Sequence, residues 1–356
     1  MLTRQITKLL YIYENLKSMS DIKINHPLLS YNTFGISATA AYFIEIISEH
    51  QLEELSRNPV FVKNEVLILG GGSNILFTKD FPGLILHANI QGIEVTAEND
   101  STVWVKAGSG VSWDEFVSYA VSNDWGGIEN LSAIPGSVGA APVQNIGAYG
   151  TEVKDVIEKV EGYDLLLERV LTFSADECHF GYRNSIFKTE YKNRLLITHV
   201  YFRLSKPPHV LITKYRNVAE KIDDLPEKTI ASMRDLIIRI REAKLPDYRV
   251  LGNAGSFFKN PIIHAVVADR LRASFPDVPL YPDLNKMLKV SAAWLIEKSG
   301  CKSLRMGNAA THTQQPLVLV NLGSATGKEI LALSAHIQKT VKEKFGILLV
   351  PEVNIY

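Results

Sequence analysis

GGIENLSAIPGSVGAAPVQNIGAYG, Gly126 to Gly150, carries one charged side chain, Glu129, and no hydrophobic period. Neither an amphipathic helix nor an alternating strand reads that way. Ordering so many glycines costs conformational entropy, so the stretch must wrap something or pack unusually well as a loop. Small side chains and close main-chain amides are what a diphosphate and a flat ring system require. A second stretch of this texture, GGGSN at Gly70 to Asn74, leaves the short apolar strand EVLIL at 65–69. It is not a GxGxxG fingerprint, because Ile75 replaces the third glycine, and not a Walker loop, because no Lys-Ser/Thr follows. Alone, GGGSN reads equally as a tight strand-to-loop turn. Together, the two stretches favour one extended ligand laid between them.

Around these loops the chain alternates short strands and helices. AYFIEI (41–46), LILHANI (84–90), IEVTAE (93–98), TVWVKAGSG (102–110), VEGYDLLL (160–167), RVLTF (169–173), LLITHVYFRL (195–204) and PLVLVN (316–321) read as strands. Capping-box spacings at Ser48/Gln51, Ser112/Glu115 and Thr326/Glu329 open helices. The last of these places Ile330, Leu333, Ile337, Val341 and Phe345 on one face. Residues 228–244 form an amphipathic helix and 289–300 a helix ended by Gly300. ILLVPEVNIY closes the chain as a strand that Pro351 confines to an edge or bulge. The fold class is α+β, in several compact pieces.

With hydrophobic residues at 46% and charged residues at 21%, the 356-residue chain is globular rather than disordered. Lys+Arg and Asp+Glu both number 38. No basic field therefore concentrates nucleic acid or an anionic membrane, and an anionic ligand must be caught by local groups. Cys178 and Cys301 form no CxxC pair and read as two inert thiols in a reducing compartment. The histidines show no ligand spacing, so no protein-held metal is expected. No apolar run is long enough to span a bilayer. Residues 1–21 read as a dispensable helical extension, with Met19 an alternative start.

Four residues stand out singly. In GNAGSFFKNP (252–261), Ser256 sits in turn chemistry beside two phenylalanines that want burial. In FGYRNSIF (180–187), Arg183 lies among apolar neighbours, either in a structural ion pair or ready to take a carboxylate through its fork. Glu352 interrupts an apolar terminal stretch, paired internally or facing a cleft. Lys244, at a helix end, is by default a solvated lysine that complements the helix dipole.

NTFGI (32–36), LGGGSNILF (69–77), IPGSVGAAPVQNIGAYG (134–150), FGYRNSIF, GNAGSFFKNP and PEV (351–353) follow one another in an order and spacing that resembles the UDP-N-acetylenolpyruvoylglucosamine reductase family. The likeness covers residues 22 to 356. GSFF and the Tyr191 segment resemble the family's first type, with a tyrosine loop over the substrate. The resemblance implies a two-part FAD-binding region of the vanillyl-alcohol-oxidase/PCMH class and an α+β substrate domain. These would be a first FAD subdomain at 22–92 completed by 347–356, a second at 93–245, and a UDP-sugar domain at 246–346.

The resemblance further implies noncovalent FAD held by Gly70, Gly71, Gly72, Ser73, Asn74, Ile134, Pro135, Gly136, Ser137, Gly139, Ala140, Asn145, Gly147, Ala148 and Tyr149. It implies catalysis by Arg183, Ser256 and Glu352, and a grip on the UDP-sugar by Tyr182, Tyr191, Lys244 and Asn260. NADPH would be the co-substrate, UDP-N-acetylglucosamine enolpyruvate the acceptor, and peptidoglycan synthesis in the cytoplasm the setting, with a monomeric protein. Two positions depart from the family pattern. Gly71 replaces a frequent glutamate, and Asn354 stands where a basic residue is common. A flavin oxidase of the same class is the alternative enzyme, but GGGSN offers no histidine to tether a flavin. A non-catalytic flavin or UDP-sugar binder could dispense with Arg183, Ser256 and Glu352 together.

Overall fold

The structure, a computed structural model, describes residues 22–283 and 286–356. The expected extension over 1–21 and the alternative start at Met19 lie outside the described residues. The chain forms two compact units, the first from 22–26, 40–71 and 81–241, the second from 27–39, 72–80 and 242–356. This division differs from the expected boundaries. Both expected FAD subdomains fall largely in one unit, while 27–39, 72–80 and 347–356 pack with 246–346.

In the first unit, a four-stranded sheet has the order Lys23–Pro27, Thr39–Ile46, Phe81–Ala88, Val66–Leu69. Its last three strands run parallel. A five-stranded antiparallel sheet follows, in the order Arg169–Ser174, Ile157–Asp164, Leu195–Ser205, Thr102–Gly108, Ile93–Glu98. Strand alternation explains how the sheets share a core. Tyr163 and Leu196 of the second sheet pack on Ile44, Ile46, Leu84 and Leu86 of the first. Its other face buries Val105, Val160 and Phe202 under Trp113 and Phe116 of the helix Trp113–Ser122. Ser112 precedes that helix but makes no side-chain cap, so the expected capping box is not formed.

Asp164 ends the strand Ile157–Asp164 inside this sheet. Its fully buried carboxylate takes a bidentate pair from Arg194, Nε to Oδ1 at 3.1 Å and Nη2 to Oδ2 at 2.7 Å, and the N–H groups of Leu166 and Leu167 (2.9 and 3.0 Å). Burial alone would raise its pKa, but these bonds outweigh it and hold the carboxyl below the usual range. A lowered folded-state pKa stabilises above the unfolded value, near 4, and that contribution disappears as pH falls through the folded value. Asp164→Asn is therefore expected to lose about 3 kcal/mol at neutral pH. The gap from the parent protein should shrink in chemical denaturation below about pH 4.

The second unit holds an antiparallel sheet ordered Asn253–Ser256, Val318–Asn321, Ala309–Thr311, Arg305–Met306. A three-stranded sheet, Ile262–His264, Met287–Val290, Leu280–Pro282, lies in the same unit. Lys289 and Val290, expected as the start of a helix, belong to this sheet, where Lys289 pairs with Ile262 and Tyr281. The helix itself is Ala292–Lys298, capped by Ser291. The long helix Gly327–Phe345 forms as its sequence dictates. Thr326 and Glu329 complete a reciprocal capping box, Gly346 ends it at φ 68°, and Ile330, Leu333, Ile337 and Val341 are buried. The terminal strand Asn354–Ile355 pairs in parallel with Ile75–Leu76.

Candidate active site

In the first unit the two glycine stretches meet. A Cβ on Gly70 would lie 2.8 Å from Ser137 Oγ, and one on Gly71 would lie 2.9 Å from Gly136 Cα. Only glycine permits that approach. Gly139 is pressed equally hard on the loop after the strand Thr102–Gly108: its Cβ would fall 2.5 Å from Ser109 Cβ, and its N–H donates to Ser109 O at 2.9 Å. Ser109 Oγ and Ser137 Oγ are buried with no hydrogen-bond partner. Two orphaned hydroxyls in a cradle of glycine backbone suit the oxygens of a diphosphate, so these residues fit FAD. Ser109 is absent from the expected site residues, and the glycines flanking it in AGSG are the signal that finds it.

The far end of the long stretch is shaped by residues forced into left-handed backbone, Asn145 at φ 45° and Tyr149 at φ 48°. Buried Asn145 holds Gly181 O and Glu152 through Nδ2 (3.1 and 3.0 Å) and Lys154 N through Oδ1 (3.1 Å). Arg183 shares this neighbourhood. Gly181 and Asn184 close a tight turn on which Arg183 takes φ 53°, uncommon for a non-glycine residue. Its Nη2 donates to Gly147 O at 2.7 Å and its Nη1 to Asn145 O at 3.4 Å, with the Tyr182 ring 5.6 Å from the guanidinium carbon. These bonds go to carbonyls and fix the guanidinium in direction. Tyr191 is half-buried, its ring edge-on to Phe173 at 5.1 Å and 4.9 Å from the Arg194 guanidinium.

In the second unit, Ser256 and Glu352 are brought together through the backbone. Between Asn253 and Ser256 the strand carries one residue more than its partner, and Gly255 turns at φ 66°. Such a bulge re-aims the side chain that follows. Ser256 is exposed, while Phe257 and Phe258 are fully buried and pack edge-on at 5.1 Å. The phenylalanines anchor the loop and the glycine bulge presents the serine. Beside it, Glu352 N donates to Phe257 O (2.8 Å) and Lys259 N to Val350 O (2.9 Å).

Asn74 zips to the same terminal stretch, giving Nδ2 to Glu352 O (3.3 Å) and taking Asn354 Nδ2 and N on its carbonyl (3.0 and 3.1 Å). Asn354 thus fastens to the GGGSN loop through Asn74. Gly72, at φ 65°, could bear no side chain, since a Cβ would meet Tyr31 O. Asn260 Oδ1 accepts Ala292 N at 2.9 Å, tying its loop to the helix Ala292–Lys298. Lys244 is exposed just past the helix Ile230–Glu242. Arg183 belongs to the first unit and Ser256, Glu352, Asn260 and Lys244 to the second.

Both cysteines are buried, and burial pushes the Cys178 thiol up to about 12, which leaves no thiolate for chemistry. Among the described residues no cluster of His, Cys, Asp or Glu could hold a metal, and no helix is long and apolar enough to cross a membrane.

Comparison with known proteins agrees with this geometry. The family model for an FAD binding domain matches residues 40–169, and that for the UDP-N-acetylenolpyruvoylglucosamine reductase C-terminal domain matches residues 246–356. The UDP-N-acetylenolpyruvoylglucosamine reductase of Flavobacterium johnsoniae is 45% identical over 338 residues, covering 94% of this chain and 99% of the relative. That of Bacteroides fragilis is 46% identical over 329 residues, covering 92% and 98%. The solved Thermus caldophilus enzyme of that name superposes with a TM-score of 0.65 at 23% identity, covering 94% of this chain and 98% of that one, which supports the fold. An α+β FAD-binding architecture, a glycine cradle with orphaned hydroxyls and near full-length relatives lead to one assignment: the chain belongs to the UDP-N-acetylenolpyruvoylglucosamine reductase family.

Proposed function

We propose that this protein is a monomeric, cytoplasmic FAD-dependent reductase that converts UDP-N-acetylglucosamine enolpyruvate to UDP-N-acetylmuramate for peptidoglycan, with NADPH as reductant. The glycine cradle with its two buried, unpartnered hydroxyls at Ser109 and Ser137 is the observation that supports this reading most. Bound there, FAD would supply a hydride, received from NADPH, to the methylene carbon of the enolpyruvyl ether.

The protein's own groups handle the charge and the proton. As the carbon–hydrogen bond forms, the double-bond electrons move to the adjacent carbon and into the carboxylate. Arg183, aimed by the Asn145 and Gly147 carbonyls, would hold that carboxylate and stabilise charge where it develops. Glu352, protonated or hydrogen-bonded, would assist at the same enolate. Ser256 would give its hydroxyl proton to the adjacent carbon, and solvent would then reprotonate the serine alkoxide to the hydroxyl. Serine is a feeble acid, but a carbanion-like enolate is a strong enough base to take its proton. Tyr182, Tyr191, Lys244 and Asn260 would grip the nucleotide sugar, the lysine as a point charge for phosphate.

Purified protein is expected to be yellow and to release FAD on denaturation. With NADPH it should convert UDP-N-acetylglucosamine enolpyruvate to a product two hydrogens heavier by mass spectrometry. A protein that takes up no FAD would refute the reading.

A further inference from the structure

The corner that opens the long glycine stretch is held from both sides by charge. Ala133 has φ 57°, a left-handed conformation that costs a residue with a Cβ about 1 kcal/mol. Both its peptide groups are claimed: its N–H donates to Asp114 Oδ1 at 2.5 Å and its carbonyl accepts Arg241 Nε at 3.2 Å. Asp114 is fixed in turn by a fork from Arg234, with Nη1 to Oδ1 at 2.7 Å and Nη2 to Oδ2 at 2.9 Å. Burial would raise this carboxyl's pKa, but the bonds from Arg234 and Ala133 overcome it and keep the group ionised. The Tyr149 side chain packs on the apolar cluster of the same helix that bears Arg241. The Tyr149 carbonyl takes Asn130 Nδ2 at 2.9 Å. The helix that carries Arg241 therefore meets both Ala133 and Tyr149, the two strained corners that bracket the stretch.

The helix Ile230–Glu242 explains how one element does this. Arg234 and Arg241 are seven residues apart, close to two turns, so they project from one face. Met233, Leu236, Ile237 and Ile240 bury the adjoining face against Val218 and Ile222, with Tyr149 packed on the same cluster. Burial pulls the Arg241 guanidinium below its usual pKa, the mark of a cation paying desolvation. Its hydrogen-bond acceptor is the Ala133 carbonyl and not a carboxylate. Desolvating a cation for neutral acceptors is a poor way to gain stability alone, since packed apolar groups usually do as well. It is a good way to fix a main-chain corner in one geometry.

We propose that Asp114, Arg234 and Arg241 form a positioning clamp that pre-shapes the 133–149 stretch for the flavin cofactor, with Arg241 holding its opening corner at Ala133. The clamp rests on the reading of that stretch as FAD-binding. It stands outside the residues assigned to catalysis or to cofactor contact. Its effect is on affinity: a stretch already shaped loses less freedom when the ligand arrives.

The test is FAD titration of FAD-stripped full-length protein, followed by flavin fluorescence and visible circular dichroism, beside thermal melting of the stripped protein. Arg241→Met, which keeps the bulk and removes the bond to Ala133, is expected to weaken FAD about 10- to 100-fold and alter the bound flavin's dichroism. The stripped protein should still melt within a few degrees of the parent. Arg241→Lys should recover part of the affinity. Affinity within twofold of the parent in Arg241→Met would overturn the clamp, as would collapse of the stripped protein, which would make Arg241 a plain stability residue. If the parent itself takes up no FAD, the cofactor reading fails and the clamp with it. If the parent binds and the variant binds equally, only the clamp fails.

Discussion

Ser256→Ala is expected to keep NADPH-driven bleaching of the flavin at the parent rate and to slow reoxidation by the enolpyruvyl substrate about 10²- to 10⁴-fold. The reason is positional. The bulge at Gly255 turns Ser256 outward while Phe257 and Phe258 seat the loop in the core, so the exposed hydroxyl can be removed without disturbing packing. Removing a proton donor affects only the step that needs the proton. Rapid-mixing absorbance of each half-reaction separates the outcomes, and equal slowing of both would show that Ser256 is structural. Protein stability should change by less than about 0.5 kcal/mol, as for other exposed sites.

Gly139→Val is expected to abolish the yellow colour of the purified protein and weaken FAD by more than about 100-fold. An added Cβ falls 2.5 Å from Ser109 Cβ and 3.0 Å from Ser109 Cα, so main chain must move. That displacement would separate Ser109 from Ser137, the two buried hydroxyls offered to the cofactor. Overpacking of this kind typically destabilises by about 1–3 kcal/mol. Melting curves with and without added FAD distinguish a folded protein that has lost its cofactor site from one that has unfolded. Normal FAD content in a stable Gly139→Val protein would remove Ser109 and Gly139 from the cradle.

Much of this architecture can be read from the chain because its signals are local. Thr326, Glu329 and Gly346 mark the ends of the last helix, and its apolar spacing names the buried face. The glycine stretches announce themselves by composition, and Gly70 and Gly71 do press against Gly136 and Ser137. Non-local partners defeat the same reasoning. Lys289 and Val290 extend a helical pattern but are captured by Ile262 and Leu280, strands that sequence alone does not register. Ser112 fits a capping box, yet the helix start is organised instead by Asp114, which takes Ala133 N and Arg234. Arg234 and Arg241 read as the polar side of an amphipathic helix, and only the fold shows that this side faces Ala133 and Tyr149. Ser256 lies between. Its turn residues and paired phenylalanines pose the contradiction, and the bulge at Gly255 resolves it.

Anaerobic stopped-flow absorbance of the FAD-loaded protein tests the central claim most directly, with NADPH added first and UDP-N-acetylglucosamine enolpyruvate second. The account predicts that the yellow absorbance falls on the first addition and returns on the second, with one UDP-N-acetylmuramate formed per flavin. Absorbance that NADPH leaves unchanged, or that returns with oxygen but not with the enolpyruvyl substrate, would contradict it.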